Sequence, residues 1–154
     1  MYKSREGKLL VAHPNLQQSD YFYRTVILLY ADTWKNGSLG IVLNRPTPES
    51  VAELCAAQNI NFPSSSKMCI GGPVQQRTVC MLHSDEWLTA GSKRINNSRL
   101  AVSSDRIMFE KMAMGDRPAY FKVFSGICAW HQGQLEMELS GNYPYKPENS
   151  WLTC

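Results

Sequence analysis

An α+β domain with a largely antiparallel sheet is what this sequence predicts, on three observations. Its 154 residues are 44% hydrophobic, enough for one substantial core and too few for two ordinary domains. Short runs rich in β-branched and aromatic residues recur along the chain, Thr25–Tyr30 being the longest. These runs follow one another without regular intervening helices, which argues against a doubly wound parallel sheet. The chain, 1–154, therefore reads as a single domain.

Lys8–His13, closed by Pro14, predicts a first strand and Thr25–Tyr30 a second. Leu39–Leu43 predicts a third, set off by Asn36-Gly37 and running into Asn44-Arg45-Pro46. Thr47 then has the chemistry of a helix N-cap and Pro48 that of a first helical residue, with Val51, Leu54 and Cys55 at helical spacing; this helix is expected to end near Gln58. Beyond a loop at 63–66, Met68–Ile70 and Thr78–His83 predict strands around the turn Gly71-Gly72-Pro73. Ser84–Asn97 is polar and predicts no element, and Arg99–Val102 predicts a short strand. Ser103 or Ser104 is expected to cap a helix that buries Ile107, Met108 and Met112 and stops at Gly115. Tyr120–Phe124 predicts another strand, ending at Gly126. A last helix would carry Leu135 and Leu139 on one face and end at Gly141.

Composition narrows the function classes. Sixteen Lys and Arg stand against thirteen Asp and Glu, a formal charge of +3, and the two signs are interspersed. A nucleic-acid footprint usually needs clustered basic charge. No apolar run approaches the eighteen or so residues of a membrane span, and the N-terminal residues lack the pattern of a secretory signal. Five cysteines, an odd number, fit reduced thiols better than a disulfide framework. A cytoplasmic protein is expected.

Six segments, LLVAHP, DYFYRTVILL, GIVLNRP, IGGPV, LH and GICAWHQGQLEMEL, follow one another from Leu9 to about Leu139. In this order they resemble the AlgH/YqgE family of bacterial proteins, and GIVLNRP, GGPV and W-x-x-GQLE-x-E make the combination specific. The resemblance implies an α+β fold with a mostly antiparallel, strongly curved sheet, in a family whose biochemical activity is unsettled. The chain departs from the family pattern at Ile127-Cys128-Ala129 and at His131-Gln132. Family chains also continue past the position of Trp151 with a segment that helps close the fold. A shortened C-terminal segment predicts an open sheet edge, which invites pairing with a second chain.

Several residues could carry chemistry. Cys80-x-x-His83 and Cys128-x-x-His131 share a spacing, and together they could supply four zinc ligands. A strand at Cys80 would point Cys80 and His83 to opposite faces, however, and Cys80, Cys128 and His131 lie outside the family pattern, so neither metal nor cofactor is expected. A thiol enzyme would need Cys128 or Cys69 as nucleophile, His83 or His131 as base and Asn44 as orienting group, with nothing local that specifies them. Ser125-Gly126 and Ser140-Gly141 lack the frame of a nucleophile elbow. No catalytic residue is assigned. Gly71-Gly72-Pro73 could cradle an anion with Arg45 or Arg77 adding charge, or form a turn that needs glycine's free dihedrals. Glu136 and Glu138, two apart on a helix, face different sides; one is expected to salt-bridge or cap and the other to be solvated. Gln134 is expected to make a buried hydrogen bond, with Trp130 and Leu135 in the core.

The function expected is that of a non-enzymatic regulatory or binding protein, acting on a protein partner or by self-association. Its surface is assigned to Arg24, Asn44, Arg45, Gly71, Gly72 and Pro73, because strand-end loops are where recognition groups concentrate and Arg24 lies beside Tyr21, Phe22 and Tyr23. An enzyme or small-ligand sensor using the Asn44-Arg45 and Gly71-Gly72-Pro73 region is the alternative. A nucleic-acid-binding regulator is third.

Overall fold

The computed structural model describes residues 1–57, 59–62, 66–140 and 151–153. The expected helix end at Gln58, most of the loop at 63–66 and the stop at Gly141 lie outside the described residues.

Strands β1 (Leu9–Ala12), β2 (Val26–Thr33) and β3 (Gly37–Val42) form an antiparallel meander, with Leu10 opposite Ile27 and Leu28 opposite Ile41. The next segment departs from expectation. Pro46–Ser50 is a strand, β4, and helix α1 starts only at Val51 and runs to Ala57. The reason is tertiary pairing: β4 lies antiparallel against β5 (Lys67–Ile70), with Pro46 opposite Cys69. Ser50 is the cap, its Oγ accepting from the Glu53 amide at 3.1 Å. Thr47 Oγ1 accepts from the Glu49 amide instead.

Strand β6 (Val74–Ser84) is followed by β7 (Lys93–Arg94), inside a stretch for which no element was expected, and by β8 (Leu100–Ser103). Helix α2 spans Arg106–Ala113. Its N-cap is Asp105, whose carboxylate makes no capping bond, in place of Ser103 or Ser104. It buries Met108, Phe109 and Met112; Ile107, expected inside, is exposed. Gly115 follows the helix at φ 86°.

Strand β9 (Phe121–Trp130) runs through Gly126 instead of ending there, and α3 (Gln134–Ser140) and β10 (Trp151–Thr153) complete the described elements. Phe124 and Ile127 lie in the same apolar cluster although they are three positions apart, so the side-chain alternation of β9 slips once between them. Gly126, at φ 80°, absorbs that slip.

Among the described residues the sheet order is β10-β1-β2-β3-β9-β6-β8-β7, with β4 and β5 beside it. Every pairing is antiparallel except that of β5 with β9. The sheet is open but strongly curled. Lys93 on β7 donates to the Tyr30 carbonyl of β2 at 2.7 Å and pairs with Glu6 at 3.0 Å, a contact that a flat sheet of this order could not make. Its concave face encloses Tyr30, Ile41, Cys80, Val102 and Phe124. The opposite face is covered by α1 and α2 over Met68, Met81 and Val123, and on the other half by α3 over Leu10, Ile27 and Trp130. Strand β10 covers the edge of β1, with Ala12 opposite Trp151. The outermost described strands are then β10 and β7, of three and two residues.

Candidate binding site

Where β1 leaves the sheet and β2 joins it, the chain passes through His13-Pro14 and Tyr21–Thr25. These segments line a depression of about 350 Å³ with Val11, His13, Pro14, Tyr23, Arg24 and Thr25 on its walls. Arg24 holds a left-handed backbone, φ 57°, which is uncommon for a residue with a side chain. Asn44 fixes it there: its Nδ2 donates to the Arg24 carbonyl at 2.9 Å, and its Oδ1 accepts from the Val26 amide at 3.0 Å.

Arg45 comes to the same rim with its guanidinium already engaged. Nη2 donates to the carbonyls of Tyr21 and Tyr23, and the group lies 4.6 Å from the centre of the Tyr21 ring. Arg24 differs. Its guanidinium sits 5.0 Å from the Tyr23 ring centre and meets no acceptor among the described residues. Three of the expected surface residues, Arg24, Asn44 and Arg45, are thus brought together, and Arg24 alone presents a free cation. His13 and Pro14 share the depression and were read only as a strand end; their place in the LLVAHP segment was the available signal.

Gly71-Gly72-Pro73 sits next to this rim, because the Ile70 amide donates to the Arg45 carbonyl and the Val42 amide to the Gly71 carbonyl, both at 2.8 Å. Gly71 and Gly72 are buried against β9. A Cβ on Gly72 would overlap the Ile127 carbonyl group. The Gly71 amide donates to the Ser125 carbonyl at 2.8 Å. The glycines therefore serve close backbone approach, and Pro73 alone of the three is exposed. Arg77, the other residue expected to add charge, lies elsewhere, facing α2.

The thiols lie inside. Burial pushes Cys80 up to about 12, and Cys128 up to about 12 by burial against a smaller opposing effect of Arg45. A nucleophilic cysteine needs the opposite shift. Cys80 and His83 point to opposite faces of β6: Cys80 packs in the concave cluster, whereas His83 meets the edge of Trp87. His83 is 1% exposed and both ring nitrogens are engaged, Nδ1 with the Ser84 carbonyl at 2.9 Å and Nε2 with Ser103 Oγ at 2.7 Å. A carbonyl only accepts, so the neutral ring carries its proton on Nδ1. Among the described residues no three His, Cys, Asp or Glu side chains converge as metal ligands.

On α3 both carboxylates are occupied. Glu136 pairs with Arg5 at 3.1 Å, as one of the two was expected to do. Glu138, expected to be solvated, accepts from Trp151 Nε1 at 2.9 Å, Trp130 Nε1 at 3.4 Å and Gln134 Nε2 at 3.0 Å. Its partner Trp151 is remote in the chain, which is why a local reading missed it. Gln134 makes its bonds in a half-buried place, and Trp130 and Leu135 are core.

Comparison with known proteins agrees with this architecture. Residues 9–154 match the profile described as AlgH-like. A UPF0301 protein of Shewanella denitrificans is 33% identical over 154 residues, an alignment covering 97% of this chain and 78% of the relative. The UPF0301 protein GOX1459 of Gluconobacter oxydans is 35% identical over 137 residues, covering 86% of this chain and 72% of that one. The solution structure of the AlgH protein from Pseudomonas aeruginosa superposes with a TM-score of 0.77 at 26% identity, covering 100% of this chain and 79% of that chain. With its segment order, its curled antiparallel sheet and these relatives in agreement, the chain belongs to the AlgH-like family, the AlgH/YqgE proteins.

Proposed function

We propose that the protein is a non-enzymatic regulatory protein that works by docking a protein partner at the Arg24 rim. The observation that carries this reading is Arg24 itself: a cation with no acceptor among the described residues, on a left-handed backbone locked by Asn44. Unusual backbone held in place by its surroundings points toward function when it presents a side chain. Tyr21, 38% exposed, and the depression lined by His13 and Tyr23 supply the aromatic surface that arginine-centred interfaces use. The partner group suited to Arg24 is a carboxylate, which a guanidinium binds through paired hydrogen bonds. Cys55, Cys69, Cys80 and Cys128 are unpaired and buried, which fits a reducing compartment, so the partner is sought in the cytoplasm.

Affinity capture with the wild-type protein, Arg24→Ala and Arg24→Glu tests the proposal. A stoichiometric protein partner should be retained by the wild type and weakened about tenfold or more by either variant, equivalent to about 1.4 kcal/mol, with unchanged melting temperature. A partner that binds both variants as tightly as the wild type would remove Arg24 from the function. Binding of DNA with a steep salt dependence, in place of a protein, would favour a nucleic-acid regulator instead.

A further inference from the structure

Another exposed arginine without a protein acceptor among the described residues, Arg77, lies away from the rim, on the α2 side of the sheet. Across β6 and β8, Met81 faces Ser103 in antiparallel register, so continuing that register brings Thr78 and Val79 alongside Ser104 and Arg106. Between them is a cavity of about 220 Å³. Arg77, Thr78, Ser104 and Arg106 form its polar side; Ile60, Val79 and Phe109 form its apolar side. The helix rotation that turns Phe109 inward and Ile107 outward is what gives the cavity an aromatic wall.

The polar groups are available. Arg77 makes no ion pair or hydrogen bond among the described residues, and neither do the hydroxyls of Thr78 and Ser104. Arg106 uses Nε for an exposed pair with Glu110 at 3.2 Å, an interaction of small worth that leaves the terminal nitrogens of its fork open. No carboxylate lines the cavity. The start of β6 is also built to hold Arg77 off the ladder. Its pairing with β9 shifts register between Val74 and Val79, Gln75 has φ 51°, and Ser125 Oγ donates to the Gln76 carbonyl. Bulges of this kind re-aim side chains.

We propose that this cavity binds a small phosphorylated organic molecule. The phosphate lies between Arg77 and Arg106 and accepts from Thr78 and Ser104, and the organic body stacks on Phe109 over Ile60 and Val79. Two guanidinium groups and two hydroxyls supply more donors than the two oxygens of a carboxylate can use, whereas a phosphate monoester dianion matches them in charge and in number of acceptors. The volume is below the roughly 300–1,000 Å³ of sites for drug-sized ligands, which fits a ligand with one small ring or a short carbon chain.

Phenyl phosphate titrated into the full chain is the probe, followed by amide chemical shifts and calorimetry. Saturable one-site binding is expected, with shifts centred on Thr78, Val79, Ser104 and Phe109. Arg77→Gln and Arg106→Gln should each weaken it about tenfold or more without changing the melting temperature, while Glu110→Gln, which frees Arg106, should tighten it. Non-saturable binding, or shifts centred elsewhere, would overturn the proposal. Inorganic phosphate binding as tightly as phenyl phosphate would overturn the role of the apolar wall. A short single-stranded oligonucleotide that binds more tightly, with a steep salt slope, would replace the small molecule by a nucleic-acid backbone.

Discussion

Arg45 and Arg24 rise from neighbouring loops at one end of the sheet, yet one guanidinium is tied to two backbone carbonyls and the other meets no acceptor among the described residues. Asn44 and the glycines fall on the committed side of this divide, since Asn44 engages the backbone with both ends and Gly72 lies flat against β9. Polar residues after a strand thus have two fates. They close the backbone of a neighbouring loop, or they stand on the platform that the first kind has built. Arg24 belongs to the second kind because Asn44 and Arg45 belong to the first.

Substitutions should separate the two. The largest effect is expected at Gly72→Ala, because the new methyl would have to displace backbone on β9. A loss of about 5 kcal/mol or more, or failure to accumulate as folded protein, is expected from denaturant unfolding. A near-normal midpoint would show that the seam between Gly72 and Ile127 is loose.

Alkaline pH should open the same seam next. Cys128 donates to the Gly71 carbonyl at 3.4 Å, and burial raises its thiol from 9.0 to about 12. Because the folded value lies above the unfolded one, its contribution is fully present below pH 9 and is lost between 9 and 12. The loss attributable to Cys128 is roughly 4 kcal/mol at the upper end. Cys80, also raised to about 12 by burial, should add to it. Urea midpoints should therefore stay flat up to pH 9 and then fall, whereas a Cys80→Ala, Cys128→Ala double variant should keep only the part of the fall that comes from Cys55, Tyr2 and Tyr30, all raised chiefly by burial. An identical alkaline fall in that variant would acquit the thiols.

The smallest effects bear most directly on the divide. Asn44→Ala and Arg45→Ala each remove partners from largely exposed backbone groups and should cost about 0.5–1.5 kcal/mol. Arg24→Ala, which removes none, should stay within about 0.5 kcal/mol. Thermal unfolding of the three variants would abolish the distinction if Arg24→Ala proved as costly as Arg45→Ala.

Strands β1 to β3 were legible because each is a compact apolar run with a polar or turn-forming end, Pro14 after β1, Arg24 and Asp32 around the core of β2, and Asn36-Gly37 and Asn44 around β3. Local signals misled where distant chain decided. Thr47-Pro48 has the chemistry of a helix start, but pairing with β5 holds it extended. Gly126 reads as a strand end, yet its positive φ allows β9 to continue past the close approach of Gly72. At the candidate site the residue types were legible but their commitments were not. Whether an arginine is free depends on carbonyls about twenty residues away along the chain, as Arg45 and Tyr21 show.

The pairing of β10 with β1 also sets an order in time. Trp151 packs on Phe22 and Trp130 and fills the cluster around Leu10, so three regions made earlier in synthesis must wait for it. Until it arrives, β1 has an uncovered edge and Glu138 lacks one of its indole donors. N-terminal segments emerge from the ribosome first, so this corner assembles late, and Val11 and Ala12 of β1 line the depression beside Arg24. The proposed docking rim therefore gains its full backing only after β10 has been made and has paired with β1.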